Sequence, residues 1–527
     1  MTMMRYLVVH DVDAIQAYVF ATGKLREVRG ASALIDQINR RETGRLIRHY
    51  HGRQIYLGGG GAAADFTDES RAQGFCTKVS EIYAEKTWIA SSTGVVESYD
   101  ESVTPEAATS FRSALRKAHA NLRQTKAGAV RKTQLLSCPY FKLCQACGIY
   151  PAAAYDRSLP EEAGFVCQAC YAKRQMPREP FIQRYIRWAA QRDSQISPAF
   201  PRFLDEIGKA AEPQGYIGVI YADGNRMGDR LQHLETWQEL RAFSRTVDSA
   251  VKQALTEALL QRYRSTRTQG QRFPALVPLC GGDDLVVVVP GHEALRVAVD
   301  YLQGFQNRVR HFLPEAVAQR IGGREMSACA GVAIAKSHTP LISLFDLAYE
   351  LCQSAKARSY EYARPLPLPG QAPQEVPCLD FQVLTTPSWS NVREVRATEY
   401  MLNDRIRLTA RPYTAEEVRR LLKAVQILKQ AKFPPGKLYD LYRGLRAGKQ
   451  QAVLRYLTLF MRAQESSTGY KQQTALKDAA ALVGVNPAPS LAAPLPPWQP
   501  WPGPGRGSDW LQTPYGDMVE IYAFVRD

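Results

Sequence analysis

Two apolar periods take turns along this chain. Short runs rich in Val, Ile and Tyr predict strands, and longer stretches with apolar positions three and four apart predict helices. Residues 4–10 (Met-Arg-Tyr-Leu-Val-Val-His) read as a strand, 13–21 as a helix capped by Asp13, 25 onward as a second helix, and 54–62 as a strand entering a glycine turn. The order returns further on. Residues 216–223 read as an apolar strand ending on an acid, 235–264 as a long amphipathic helix, 279–289 as a hairpin, 293–312 as a helix, 326–335 as a strand and 344–359 as a helix, with a short strand near 379–381. A strand, a helix and a hairpin in this order match a ferredoxin-like α+β unit, so the pattern predicts two of them. Residues 178–212 read as a helical connector, and 413–430, 435–447 and 449–463 as helices. Proline marks a loop at 365–374 and an extended strap at 486–507, and the apolar 519–525 is expected to dock on the rest.

The later hairpin carries the chemistry. In Leu279-Cys280-Gly281-Gly282-Asp283-Asp284-Leu285 an apolar run enters a turn bearing two carboxylates, either an ordinary acidic turn or a cation site. Upstream, the strand of 216–223 ends Tyr221-Ala222-Asp223 and runs through Gly224 and Asn225 into a probable helix start at Met227. Acids at a strand end and at a neighbouring hairpin tip can share Mg²⁺ or Mn²⁺, and free backbone N–H groups at a helix start can hold phosphates. That is the layout of a palm-type nucleotidyltransferase or cyclase. Asp223 and Asp283 would be the principal ligands, with Asp284 a further acid, because adjacent strand residues face opposite ways. Gly224 and Asn225 would offer backbone N–H groups to the triphosphate, Gly281 and Gly282 would border the nucleotide, and Lys356 is either a phosphate contact or a surface lysine.

The pair Ala-Asp-Gly-Asn-x-Met-Gly and Gly-Gly-Asp-Asp, followed by Ala330-Gly331-Val332-Ala333-Ile334-Ala335 and the helix ending Cys352-Gln353-Ser354-Ala355-Lys356, resembles the second palm domain of the large, polymerase-like subunit of type III CRISPR effector complexes. More distantly it is similar to GGDEF diguanylate cyclases. The first unit, with its Ile-Gln and Arg-Gly-Ala-Ser signatures, resembles the first palm of that subunit. Its hairpin has Gly60-Gly61 and alanines where the other has acids, with only Asp65 nearby, so it is expected to be degenerate. The resemblance implies conversion of ATP to a cyclic oligoadenylate messenger by a two-metal mechanism, with guide and target RNA and other effector subunits as partners. Alternatives are a stand-alone palm cyclase of antiphage signalling, a non-catalytic RNA-complex scaffold and, more weakly, a template-copying polymerase. The family often carries an N-terminal HD nuclease. Here the palm pattern starts at residue 4, so His10 and Asp11 read as strand-end residues and no HD nuclease is expected.

Cysteine spacing adds a module between the palms. Cys144 and Cys147 form one Cys-x-x-Cys knuckle and Cys167 and Cys170 another, a spacing suited to tetrahedral, structural Zn²⁺. Cys138 is expected not to ligate, and ten cysteines, four of them clustered in these two knuckles, fit a reducing cytoplasm better than a disulfide framework. The expected divisions are a first palm (1–125), a zinc module with helical connector (126–213), a catalytic palm (214–390), a helical domain (391–485) and a Pro-rich tail (486–527).

Charge bears on partners. With 527 residues, 45% hydrophobic and 22% charged, the composition is that of ordinary globular domains, and no apolar run is long enough for a membrane span. A net charge of +16 points to polyanionic partners. From Phe111 to Lys132 the chain has Arg112, Arg116, Lys117, Arg123, Lys126, Arg131 and Lys132 without an acid, which reads as a solvated face or a nucleic-acid contact.

Overall fold

The computed structural model describes residues 4–101, 105–128, 141–158, 163–176, 181–265, 272–362, 375–385, 391–462, 469–486, 494–501 and 510–526. Cys138, Arg131, Lys132 and the loop expected at 365–374 lie outside these residues, as does most of the strap expected at 486–507.

The first unit runs β1 (Met4–Val12), α1 (Leu25–Gln37), β2 (Arg53–Gly58), β3 (Gly61–Phe66), α2 (Glu69–Thr87) and β4 (Ser92–Asp100). Its sheet is antiparallel in the order β2-β3-β1-β4, the ferredoxin-like arrangement. Central β1 is apolar throughout because both of its faces are covered. Leu7 and Val9 pack with Phe111 and Ala114 of α3 (Pro105–Gly128), and Val8 and Val12 pack with Val28 of α1 and Phe75 and Val79 of α2. The helix expected over 13–21 is confined to Ile15–Val19, and Asp13 does not cap it. Ala14, in the left-handed region, breaks the approach, and the Asp13 carboxylate instead accepts the Thr93 hydroxyl at 3.0 Å.

A small module follows, with the hairpin β5 (Ala154–Asp156) and β6 (Gly164–Val166) and the helix α4 (Gln168–Arg174). The connector is less helical than its composition predicts. It holds α5 (Phe181–Arg192) and a short helix Leu204–Lys209, and the stretch between them bonds irregularly.

The second unit runs β7 (Tyr216–Gly224), α6 (Trp237–Tyr263), β8 (Leu276–Gly281), β9 (Asp284–Pro290), α7 (Ala294–Phe312), β10 (Ala328–Lys336), α8 (Leu341–Tyr362) and β11 (Cys378–Val383). Its core order, β8-β9-β7-β10, is the same permutation as in the first sheet. Strand β11 adds in parallel to β10 across the α8 crossover, and Tyr413–Thr414 closes the edge. Helix α6 starts two residues later than the periodicity alone indicates, because Thr236 and Glu239 form a reciprocal capping box.

Helices α9 (Ala415–Gln430), α10 (Pro435–Ala447), α11 (Lys449–Arg462) and α12 (Gly469–Leu482) form the C-terminal layer. The last segment docks as expected: Ile521 and Val525 are buried, and the Phe524 ring meets Tyr216 edge-on at 5.0 Å. A fully buried Arg411 ties this end down through Asp517 and Glu520, each at 2.9 Å. No described helix is long and apolar enough to cross a membrane.

Candidate active site

Asp223 ends β7 and Asp284 begins β9, and those strands are hydrogen-bonded neighbours, with Ala222 opposite Leu285. Register therefore brings the strand-end acid beside the hairpin acids, as the sequence pattern requires. Asp283 sits against Gly224: a methyl group on Gly224 would lie 3.1 Å from the Asp283 Cβ. Tyr221, two residues before Asp223 on β7, donates its hydroxyl to Asp284 Oδ1 at 2.9 Å. Lys356, on the last turns of α8, donates to Asp223 Oδ2 at 2.5 Å and to the Gly224 carbonyl at 3.0 Å. Lys356 is therefore held in an ion pair with Asp223 and is not a free surface lysine.

The electrostatics follow from this crowding. Burial, then the charge of Asp223, push the Asp283 carboxyl up to about 7. Burial, then Asp223 and Asp283, push Asp284 up to about 8. Burial works to lower the Lys356 ammonium, but the Asp223 carboxylate outweighs it and holds the group above the ordinary lysine value. Three carboxylates and one ammonium leave an excess of negative charge, and two of the acids relieve it by holding protons near neutrality. A hard divalent cation would relieve it too, and an all-oxygen donor set suits Mg²⁺ or Mn²⁺.

This has a consequence for stability. Unfolded, both acids titrate near 3.8, so the folded chain binds more protons between about pH 4 and 8. Their contribution is fully present below pH 4 and is lost as pH rises through 7 to 8. The metal-free melting temperature is expected to fall between pH 6 and 8.5 by more than in an Asp283→Asn, Asp284→Asn variant, and added Mg²⁺ should offset the fall. Thermal melts of both proteins at the two pH values check this. Equal pH slopes would mean that the acids are not so perturbed.

Asn225 departs from expectation. Its backbone N–H is spent on the Ser327 carbonyl at 2.9 Å, so it is not free for a phosphate. Its fully buried amide donates to the hydroxyls of Ser327 and Ser359, at 2.7 and 3.2 Å. Asn225 thus braces the turn after β7 against α8, which holds Lys356 in place.

The hairpin tip faces the first palm. Gly59 and Gly281 meet backbone to backbone: a Cβ on Gly281 would lie 2.6 Å from the Gly59 Cα. Gly59 and Gly282 both have positive φ, which only glycine adopts cheaply. Beside this contact lies a cavity of about 530 Å³, walled by Gly281 to Asp284 on one side and by His10, Asp11, Tyr56 and Gly58 on the other. Asp223 and Lys356 are not among its walls. The first-palm wall was not singled out from sequence, since its residues are dispersed and only folding gathers them. Tyr221 had a usable signal: it shares a strand face with Asp223.

The basic segment is partly spent internally. Arg112 and Arg116 donate to the Gln232 carbonyl, and Lys126 pairs with Asp11 at 2.6 Å and Asp13 at 3.3 Å.

At the zinc module the four sulfurs of Cys144, Cys147, Cys167 and Cys170 lie within 4.8 Å of one another. The Cys147 to Cys167 separation of 4.0 Å is close to the edge of about 3.8 Å that a tetrahedron with Zn–S bonds of about 2.3 Å would have. The residues therefore fit a closed, structural Zn²⁺ site. The module is clamped to the first palm: Lys173 Nζ donates to the Tyr18 carbonyl at 2.6 Å, and Arg174 pairs with Glu27 at 2.7 Å and Asp156 at 3.1 Å. At Gly30 of α1 a Cβ would lie 1.9 Å from the Lys173 carbonyl, so the two helices touch through their backbones.

Comparison with known proteins agrees with the motifs. Residues 216–361 match the family model for the second palm domain of Cas10/Cmr2. Among solved structures, the fold is similar to that of Csm1 in T.onnurineus, at 15% identity and a TM-score of 0.51, covering 99% of this chain and 70% of that one. The Csm1-Csm4 cassette in complex with pppApA and in complex with cA4 also match, each at 14% identity and a TM-score of 0.46, covering 92% of this chain and 70% of that one. No curated protein sequence matches.

Proposed function

From a chain that carries a Cas10/Cmr2-type second palm domain within the fold of a type III CRISPR large subunit, we propose that the protein is a nucleotidyltransferase that joins ATP into a cyclic oligoadenylate in RNA-guided antiviral defence. The observation that carries the reading is the meeting of the strand-end Asp223 with the hairpin acids Asp283 and Asp284, the latter two walling a cleft large enough for nucleotide. Two divalent cations held by these acids would stabilise the attacking and leaving oxygens of an in-line displacement. In that reaction a ribose hydroxyl attacks an α-phosphate and pyrophosphate leaves. Asp223 and Asp283 would be the principal metal ligands. Asp284, oriented by Tyr221, completes the acid set. Gly281 and Gly282 let the backbone approach the nucleotide closely, and Lys356 neutralises Asp223 and lies near enough to take up phosphate charge.

The scaffold alternative has less support, because a non-catalytic subunit has no use for three neighbouring acids, two of which, Asp283 and Asp284, are crowded into holding their protons more tightly. Lys356→Met tests the electrostatic part. With its ammonium gone, Asp223 is left uncompensated among acids, and a loss of about 3 kcal/mol in folding stability is expected at pH 8, together with a fall in turnover of at least about tenfold. Denaturant titration and product assay check both. A stable, fully active variant would remove Lys356 from the site.

The activity itself is tested by incubating the purified chain with Mg²⁺ and labelled ATP, alone and assembled with guide RNA, partner subunits and a paired target RNA. Adenylate oligomers are expected in the assembled, target-bound arm. Robust synthesis by the chain alone would favour the stand-alone cyclase. No oligomer in any arm would refute the proposal.

A further inference from the structure

Outside the palm cleft, the outer face of α5 combines arginine with exposed aromatic rings. Helix α5 has the sequence Phe-Ile-Gln-Arg-Tyr-Ile-Arg-Trp-Ala-Ala-Gln-Arg, with three arginines and no acid. Ile182, Ile186, Ala189 and Ala190 are buried and seat the helix on the core. The opposite face presents Tyr185 and Trp188, 41% and 46% exposed, large values for rings that would ordinarily seek cover. These rings lie 5.3 Å apart with planes 31° from parallel, and the Arg192 guanidinium sits 3.7 Å from the Trp188 ring centroid. They form a short stack of flat groups at the surface.

Arg187, between the two aromatics in sequence, also lines an adjacent cavity of about 410 Å³. Arg29 from α1, Arg202 and Arg272 complete its charged lining, with no acid among the walls. The positions are built rather than incidental. Arg29 donates to the Pro201 carbonyl at 3.1 Å, Arg272 to the Phe200 carbonyl at 3.2 Å, and Arg187 lies over the Phe200 ring at 5.8 Å. Nearby acids offset part of the charge: Glu206 pairs with Arg272 at 3.5 Å, and Asp36 with Arg184 at 3.6 Å.

We propose that this surface binds a single-stranded nucleic acid, with unpaired bases stacking on Tyr185 and Trp188 and backbone phosphate entering the pocket of Arg29, Arg187, Arg202 and Arg272. Unpaired bases expose π-faces that aromatic side chains and guanidinium planes accept without regard to sequence, and arginine forks fit phosphate oxygens. A duplex has its bases covered and would use only the charge. An acidic protein would gain the ion pairs but has no flat rings to complete the stack. The proposal gives the RNA partner inferred above a place on the chain. It rests on that reading only for the kind of strand, and its test measures binding and never synthesis.

Fluorescence anisotropy of the purified full chain with a labelled twelve-nucleotide RNA, and with a duplex of equal length, is the test. Tyr185→Ala with Trp188→Ala is expected to weaken single-strand binding about tenfold or more while leaving duplex binding unchanged. Arg187→Gln with Arg272→Gln should lower the salt slope of single-strand binding by about 1.4, at about 0.7 per phosphate contact. The variants should melt within a few degrees of the parent, since the aromatic pair is exposed, and Asp283→Asn should bind as the parent does, which separates this surface from the palm. Equal loss on both nucleic acids, or no loss on either, would overturn the proposal. So would competition by a polyglutamate peptide as effective as unlabelled RNA at equal charge, which would assign the surface to an acidic protein.

Discussion

Asp283→Asn together with Asp284→Asn is expected to reduce nucleotide transfer by a factor of roughly 10³ or more, because it removes two of the three groups that would hold the cations stabilising the displacement. The substitution is close to isosteric and keeps Asp223, Lys356 and their 2.5 Å contact in place. It should not unfold the protein. Since these carboxyls are pushed up to about 7 and 8, replacing them by neutral amides removes a repulsion, and the variant should melt no lower than the parent at pH 8. Chromatography of labelled products and a thermal melt on the same preparation decide it. Undiminished product would place the chemistry elsewhere. Loss of both product and fold would mean that the tip acids serve the structure. Asp223→Ala should be equally inactive and, having stranded Lys356, less stable.

The second large effect concerns the cysteine cluster. Elemental analysis should find about one zinc per chain, and chelation, or Cys170→Ser, should cost several kcal/mol of stability or render the chain insoluble, because thiolate-held zinc and folding are coupled. The clamp predicts where the damage spreads. With Lys173 on the Tyr18 carbonyl and Arg174 on Glu27, loosening the module should raise hydrogen exchange in α1, which it clamps directly, before it does so in α8. A metal-free chain with an unchanged melting temperature and unchanged exchange would contradict both the zinc assignment and the clamp.

Much of this was legible in sequence, for a physical reason. The two palms repeat one order of elements, and strands such as β7 and β9 are apolar along their whole length because both faces are covered, so their ends, and the acids standing there, are sharply marked. The knuckle spacing marked the sulfur cluster in the same way. What failed did so where a short polar side chain or a main-chain group chose between a local and a distant partner. Asp13 was read as a helix cap but turns to Thr93, eighty residues on. Asn225 was read as offering its N–H to phosphate, yet spends it on Ser327. The hairpin acids sit half-buried against the first palm, a placement that the first palm sets and that the hairpin's own sequence does not mark. The cluster on α5 escaped notice because its arginine pocket draws residues from α1 and from positions 202 and 272, which are far apart along the chain.

Where Gly59 meets Gly281 the clearance between the two palms is smaller than a methyl group. A joint of that kind admits no adjustment by rotamer, since there is no side chain on either side to turn. Inserted volume must therefore be taken up by moving one whole sheet relative to the other. Alanine at 281 would act as a shim of fixed thickness, and valine as a thicker one, each prising the acid-bearing tip from the wall formed by His10 and Tyr56. The width of the cleft is thus written into the chain as the absence of two side chains.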